Sequence, residues 1–154
     1  MDFNKFDSVS AAEKGAAMHI KDPTTLEPLF TEDGKPCEII LLGSEAPSVR
    51  AAYREAEKAR LNAEKAEGTS DAEGDDAEFL SMDDFHEKTV ELLLPRVVGF
   101  NNVFKGDKPA TKKDAPWFFG LNRMNGQKGE KSFAEQASDF SAKRASYLGN
   151  VSTA

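Results

Sequence analysis

An acidic stretch in the middle of the chain places the strongest constraint on how it can fold. Residues 67–87 carry nine Asp and Glu side chains and no Lys or Arg. The sequence EGTSDAEGDDAE, at 67–78, contains no large apolar side chain. Such a segment cannot bury enough apolar surface to offset its loss of conformational entropy. The sequence therefore predicts a flexible acidic linker at 67–78, between an N-terminal part at 1–66 and a C-terminal part at 79–150.

The whole composition is that of a small protein with a modest core. The 154 residues carry a formal net charge of −7, and 39% of them are hydrophobic. The longest apolar run is far shorter than the roughly 20 residues that span a bilayer, and the N-terminus lacks the pattern of a secretion signal. The single cysteine, Cys37, cannot form an internal disulfide. We expect a soluble protein of a reducing compartment that does not associate with membranes.

The N-terminal part is predicted to be a β-hairpin packed on a helix. A capping box at 10–13 predicts a short first helix. Strands are predicted at 16–21 and 36–42, because β-branched and apolar residues there are separated by Pro and Asp-Gly turn sequences. A long alanine-rich helix is predicted over 46–66. Its early turns are expected to pack on the hairpin, and its later turns to extend from the body or to contact another copy.

The C-terminal part is predicted to be helical. The apolar spacing favours a helix over 79–98 that Pro95 interrupts. A long loop rich in basic and aromatic residues is predicted over 101–131. The final helix is expected to begin after Ser132, where Glu135 completes a capping box, and to end at Gly149. The predicted fold class is therefore α+β and mostly helical.

Few side chains are arranged for catalysis. The sequence has no H-E-x-x-H, no G-x-S-x-G and no phosphate-binding glycine loop. The run DDFHE at 83–87 offers metal-ligating residue types, but neighbouring side chains on a helix diverge, so a solvated helix start is favoured. Cys37 has no histidine at motif spacing and is expected to be a small buried residue. We therefore predict neither an enzyme nor a cofactor.

Basic and aromatic residues alternate within 105–131, which allows two interpretations. Seven Lys and Arg side chains accompany Trp117, Phe118 and Phe119. This mixture can follow phosphates and stack on bases. The overall charge of −7 opposes binding to a polyanion, however, and an aromatic trio is more typical of a core. The sequence therefore disfavours nucleic-acid binding and favours a protein–protein interaction role.

Three segments occur in an informative order. They are IKDPTTLEPLFTEDGKPCEIILLGSEAPSVRAA, ELLLPRVVGFNNV and FAEQASDFSAKRASYLGN. The second contains Val98-Gly99-Phe100, and the third contains Arg144 followed by Tyr147 and Leu148. In this order the chain resembles the tail assembly chaperones of long-tailed bacteriophages. The resemblance covers roughly residues 16–55 and 88–150, while Pro95 and the extended loop depart from the family's pattern.

The resemblance implies a non-catalytic role in tail morphogenesis. Such a chaperone binds the tape-measure protein, keeps it soluble, helps to recruit tail tube proteins, and is absent from the mature virion. Its expected location is the host bacterial cytoplasm, and the alanine-rich helix is compatible with self-association. The candidate partner-binding residues are large apolar side chains, each of which could instead belong to the core: Phe85, Leu92, Leu93, Phe100, Trp117, Phe118, Phe140 and Tyr147.

Two alternatives remain open at this point. The chain could be a structural tail or capsid accessory protein that is retained in the virion, which its presence in purified particles would indicate. It could also be a small nucleic-acid-binding regulator, which salt-dependent DNA binding would indicate.

Overall fold

A three-stranded antiparallel sheet forms the centre of the computed structural model, which describes residues 1–67 and 81–148. Strand β1 (Ala16–His19) pairs with β2 (Glu38–Leu41), which confirms the predicted hairpin. Strand β3 (Val97–Asn101) pairs with the other side of β2. β2 is therefore the central strand, and its Ile39 and Leu41 side chains are completely buried.

The third strand corrects the helix that was predicted over 79–98. Helix α3 (Met82–Leu93) stops before Pro95, which lies in a short 3-10 turn at Leu94–Arg96. Proline has no N–H to continue the helix, and the two valines that follow it favour extended backbone. Because β3 completes the sheet begun by β1 and β2, the residues on the two sides of the acidic stretch share one core.

The predicted linker at 67–78 lies, apart from its first residue, outside the described residues. The same is true of the predicted end of the final helix at Gly149.

Two N-terminal helices pack against each other beside the sheet. Helix α1 (Ser8–Lys14) begins earlier than predicted, because the Asp7 carboxylate accepts a hydrogen bond from the Ser10 N–H at 3.0 Å and caps the helix. Helix α2 (Pro47–Glu67) buries Val49 against α1. Residues 54–65 of α2 are exposed, so the helix extends from the body as expected.

The segment predicted as a long loop, 101–131, contains regular structure. Strands β4 (Phe104–Lys105) and β5 (Lys108–Pro109) form a small hairpin, and helix α4 (Ala115–Gly120) follows. Both Phe118 and Phe119 of α4 enter the main core. A helix of six residues is too short to show a helical period in the sequence, which explains the loop prediction.

The C-terminal helices complete the core. Helix α5 (Phe133–Ser141) begins with the predicted capping box of Ser132 and Glu135 and packs along α3. The final helix is interrupted after α5, and a short helix α6 (Ala145–Leu148) follows. The described chain is thus an α+β fold with more helix than strand, as predicted.

Candidate partner-binding site

The eight predicted contact residues occupy three different environments. Leu93 and Phe118 lie in the core, where they are 1% and 2% exposed. A partner cannot reach them in this conformation, so of the two interpretations open for these residues the core one applies. Because α3 and α4 carry apolar residues on more than one face, helical spacing alone does not show which of them are buried. The half-buried side chains are Phe100, Trp117, Phe140 and Tyr147.

Phe85 and Leu92 are the two predicted residues that remain exposed, at 57% and 50%. They lie seven residues apart on α3, which places them on one face about 10 Å apart along the helix axis. Both line a groove of about 460 Å³ between α3 and α5. This groove is the candidate partner-binding site, and we call it the α3–α5 groove.

The α3–α5 groove has an apolar floor and a polar far wall. The buried side chains of Leu93 and Met124 form its floor. The far wall consists of residues of α5, namely Glu135, Ser138 and Asp139. Sequence analysis missed Met124 and the whole α5 wall, because only tertiary packing brings them next to α3.

The charged groups of the groove are already engaged with neighbours. The Glu135 carboxylate accepts a hydrogen bond from the Ser132 N–H at 2.9 Å. The Asp139 carboxylate lies 2.6 Å from the Lys131 ammonium group. A partner therefore gains mainly apolar contact with Phe85 and Leu92 rather than new ion pairs.

A hydrogen-bonded network around Arg96 fixes one end of the groove. The Arg96 Nε–H donates to the Tyr53 hydroxyl at 2.8 Å, and that hydroxyl donates to the Leu92 carbonyl at 2.8 Å. Another guanidinium nitrogen of Arg96 donates to the Ser141 hydroxyl at 2.5 Å. These bonds connect α2, α3 and α5, so they hold Leu92 in position. No motif in the sequence marks Arg96 or Tyr53 for this role.

Arg144 and Tyr147 both contact other parts of the same chain. The Arg144 guanidinium donates two hydrogen bonds to the Glu45 carboxylate, at 3.0 and 3.1 Å. The Tyr147 ring packs against Gly43, where an added Cβ would lie only 3.0 Å from the ring. Burial raises the pKa of the Tyr147 phenol, and no described residue forms a hydrogen bond with its hydroxyl. This pair attaches α6 to the turn before α2.

Two of the three aromatic residues at 117–119, Phe118 and Phe119, belong to the core, and Trp117 packs half-buried against it. Phe118 stacks on Phe133 with ring centroids 4.5 Å apart and planes 6° apart. The ammonium group of Lys105 lies 5.7 Å from the centre of the Trp117 ring. Phe104, in the adjacent hairpin, is 54% exposed. Phe118 and Phe119 are therefore not exposed for bases to stack on, whereas Trp117 is partly exposed.

Metal and thiol chemistry receive no support from the described part of the chain. Within residues 1–67 and 81–148, no three His, Cys, Asp or Glu side chains are placed to hold a metal ion. Cys37 is half-buried beside the core, and burial raises the pKa of its thiol, which disfavours the nucleophilic thiolate. The described helices include none that is long and apolar enough to cross a bilayer.

His86 is a buried titratable group behind the groove. Its side chain is 2% exposed, and its Nδ1 atom accepts a hydrogen bond from the Met124 N–H at 3.4 Å. Burial is the main cause that lowers the pKa of His86, and the nearby Arg123 guanidinium lowers it further. A hydrogen bond with the Phe119 backbone and, to a smaller extent, the Asp83 and Glu87 carboxylates oppose this shift. His86 is therefore neutral in the folded protein at pH 7.

Stability is expected to fall as the pH drops below about 6.5, the ordinary histidine pKa. The unfolded chain binds a proton there, whereas the folded chain with its lowered pKa does not, so acid favours unfolding until the pH reaches the folded pKa. His86→Asn keeps a hydrogen-bond acceptor but cannot titrate. Urea unfolding measured between pH 7.5 and 5 should show that the free energy of unfolding falls less steeply with decreasing pH for this variant than for the wild type. The control is Val97→Ala, which changes a buried residue without a titrating group, and it should show the wild-type dependence of the free energy of unfolding on pH. An equal pH dependence in all three proteins would contradict the role of His86.

Comparison with known proteins gives no relative. No family model matches the chain, and neither curated proteins nor solved structures contain a match. A functional assignment therefore depends on the motif order and on the geometry of the α3–α5 groove.

Proposed function

We propose that this chain is a tail assembly chaperone of a long-tailed bacteriophage. It is non-catalytic, binds the tape-measure protein, keeps that protein soluble and helps to recruit tail tube subunits. The resemblance in motif order supports this proposal. The observation that carries it is the α3–α5 groove, which exposes Phe85 and Leu92 on one helix face.

The groove suits an amphipathic helix as its occupant. A helix that docks in an apolar groove is anchored by a few side chains at helical spacing. The Phe85 and Leu92 side chains, each about half exposed, would gain about 2–3 kcal/mol together on full burial. Each contact is then weak, and a long helical client would be held by many copies of the chain acting together. Weak individual contacts also agree with release of the chaperone once the tail is complete.

The proposed location is the host bacterial cytoplasm, with no copies in the finished virion. A structural tail or capsid accessory protein would also expose apolar surface, but it would remain in the particle. Mass spectrometry of purified virions separates the two functions, because the chaperone is absent from them and the structural protein is present.

Co-expression with the tape-measure protein of the same genome tests the proposal. We expect the tape-measure protein to move from the insoluble to the soluble fraction and to co-purify with the affinity-tagged chain. An unrelated acidic protein of similar size serves as the control for general effects on solubility. A tape-measure protein that stays insoluble, with nothing co-purifying, would contradict the chaperone function.

A further inference from the structure

We infer that the outer edge of strand β1 is a docking site for an extended acidic peptide of a partner protein. The peptide would add a strand to the sheet beside β1, through main-chain hydrogen bonds. This surface lies on the other side of α5 from the α3–α5 groove and shares only Asp139 with it, and the inference does not depend on the proposed chaperone function.

The backbone of β1 presents unused hydrogen-bonding groups at this edge. In an antiparallel pair, alternate residues direct their N–H and C=O groups toward the neighbouring strand. The Ile20 N–H donates to the Cys37 carbonyl at 2.9 Å, so Ile20 and Met18 face β2. The N–H and C=O groups of Ala17 and His19 therefore point away from β2. Within the described chain no hydrogen bond engages them, and β1 is an outer strand of its sheet.

Lys21 is the next residue whose backbone groups face away from β2, and it shows how this edge forms hydrogen bonds with a neighbouring group. The Lys21 N–H donates to Gln136 Oε1 at 2.9 Å, and Gln136 Nε2 donates to the Lys21 carbonyl at 3.0 Å. The buried amide of Gln136 thus forms the two bonds that a residue of a neighbouring strand would form. An extended peptide would continue this pairing at His19 and Ala17, whose outward backbone groups have no hydrogen-bond partner among the described residues.

A cleft beside the edge indicates which side chains the peptide carries. This cleft, of about 390 Å³, lies between β1 and helices α5 and α6. Its lining includes the apolar side chains of Met18, Leu26 and Phe140. An extended peptide with apolar residues at alternate positions would therefore find apolar contact along one wall.

The charge of the cleft is opposite to that of the whole chain. Its lining contains Lys21, Lys131 and Lys143 but a single carboxylate, that of Asp139. Asp139 pairs with Lys131 at 2.6 Å, whereas Lys21 and Lys143 have no acidic partner among the described side chains. In a protein of net charge −7, this local excess of positive charge favours acidic residues in the docked peptide.

The backbone part of the site can be tested at Ala17. Ala17→Pro removes the outward N–H without breaking the β1–β2 ladder, because proline is tolerated where an edge N–H faces solvent. Ala17→Val is the matched control, since it retains the N–H and favours a strand. The probe is a fluorescent, end-capped hexapeptide of alternating Val and Glu, and its binding is measured by anisotropy. We expect binding to the wild type and Ala17→Val, and at least tenfold weaker binding to Ala17→Pro.

The charge part of the site has its own variants. We expect Lys21→Glu with Lys143→Glu to weaken binding at least tenfold, and Lys112→Glu with Lys113→Glu, an equal charge change elsewhere, to have a smaller effect. If circular dichroism shows that Ala17→Pro does not fold, these two double variants still test the site. Absence of binding, or equal binding of a Val-Lys hexapeptide, would overturn the inference. Self-association that Ala17→Pro abolishes would also overturn it, because the occupant would then be a second copy.

Discussion

Phe118→Ala is expected to lower the free energy of unfolding by about 3–5 kcal/mol, the usual cost of removing a buried phenylalanine ring. The side chain is 2% exposed, and its ring stacks on Phe133 and forms a T-shaped contact with Phe100 at a centroid distance of 5.1 Å. Such a loss is a large part of the roughly 5–15 kcal/mol that stabilises a typical domain. Urea denaturation followed by circular dichroism measures it.

Phe104→Ala is the matched control for Phe118→Ala. Phe104 is 54% exposed, so its truncation should change the free energy of unfolding by no more than about 0.5 kcal/mol. A loss below about 1 kcal/mol for Phe118→Ala would show that Phe118 is not part of a packed core.

The double variant Phe85→Ala with Leu92→Ala is expected to reduce co-purification of the tape-measure protein at least tenfold. Full burial of the two half-exposed side chains is worth about 2–3 kcal/mol together, and 1.4 kcal/mol corresponds to tenfold in affinity. Because both side chains are about half exposed, the fold itself should lose little stability. Quantitative pull-down after co-expression measures the effect.

Phe104→Ala with Leu121→Ala is a control of the same chemistry outside the groove. These side chains are 54% and 52% exposed, close to the 57% and 50% of Phe85 and Leu92. This variant should retain wild-type co-purification. If both double variants lost the client equally, the interaction would depend on general surface hydrophobicity and not on the α3–α5 groove.

Local sequence signals predicted the elements whose patterns are complete within a few residues. The β1–β2 hairpin follows from apolar strands around turn residues, and α5 follows from its capping box. Strand β3 could not be predicted this way. Its valines continue the apolar pattern of α3, and only pairing with β2, which is distant in the chain, makes them a strand.

Only the part of the candidate site that lies within one helix could be predicted from the sequence. Helical spacing identified Phe85, Leu92 and Leu93 as apolar residues of one helix. It could not tell which of them face the core, because that depends on where α5 packs against α3. The far wall of the groove and the Arg96 network come from elements that are separated in sequence, so tertiary structure alone brings them together.

Site-specific photo-crosslinking would test the groove assignment most directly. Benzoylphenylalanine would replace Phe85 in one variant and Phe104 in the control variant. Both phenylalanines are exposed. After co-expression with the tape-measure protein and irradiation, we expect a covalent adduct of the two proteins from position 85 and little or none from position 104. An adduct from position 104 alone, or none from position 85 when the proteins co-purify, would contradict binding through the α3–α5 groove.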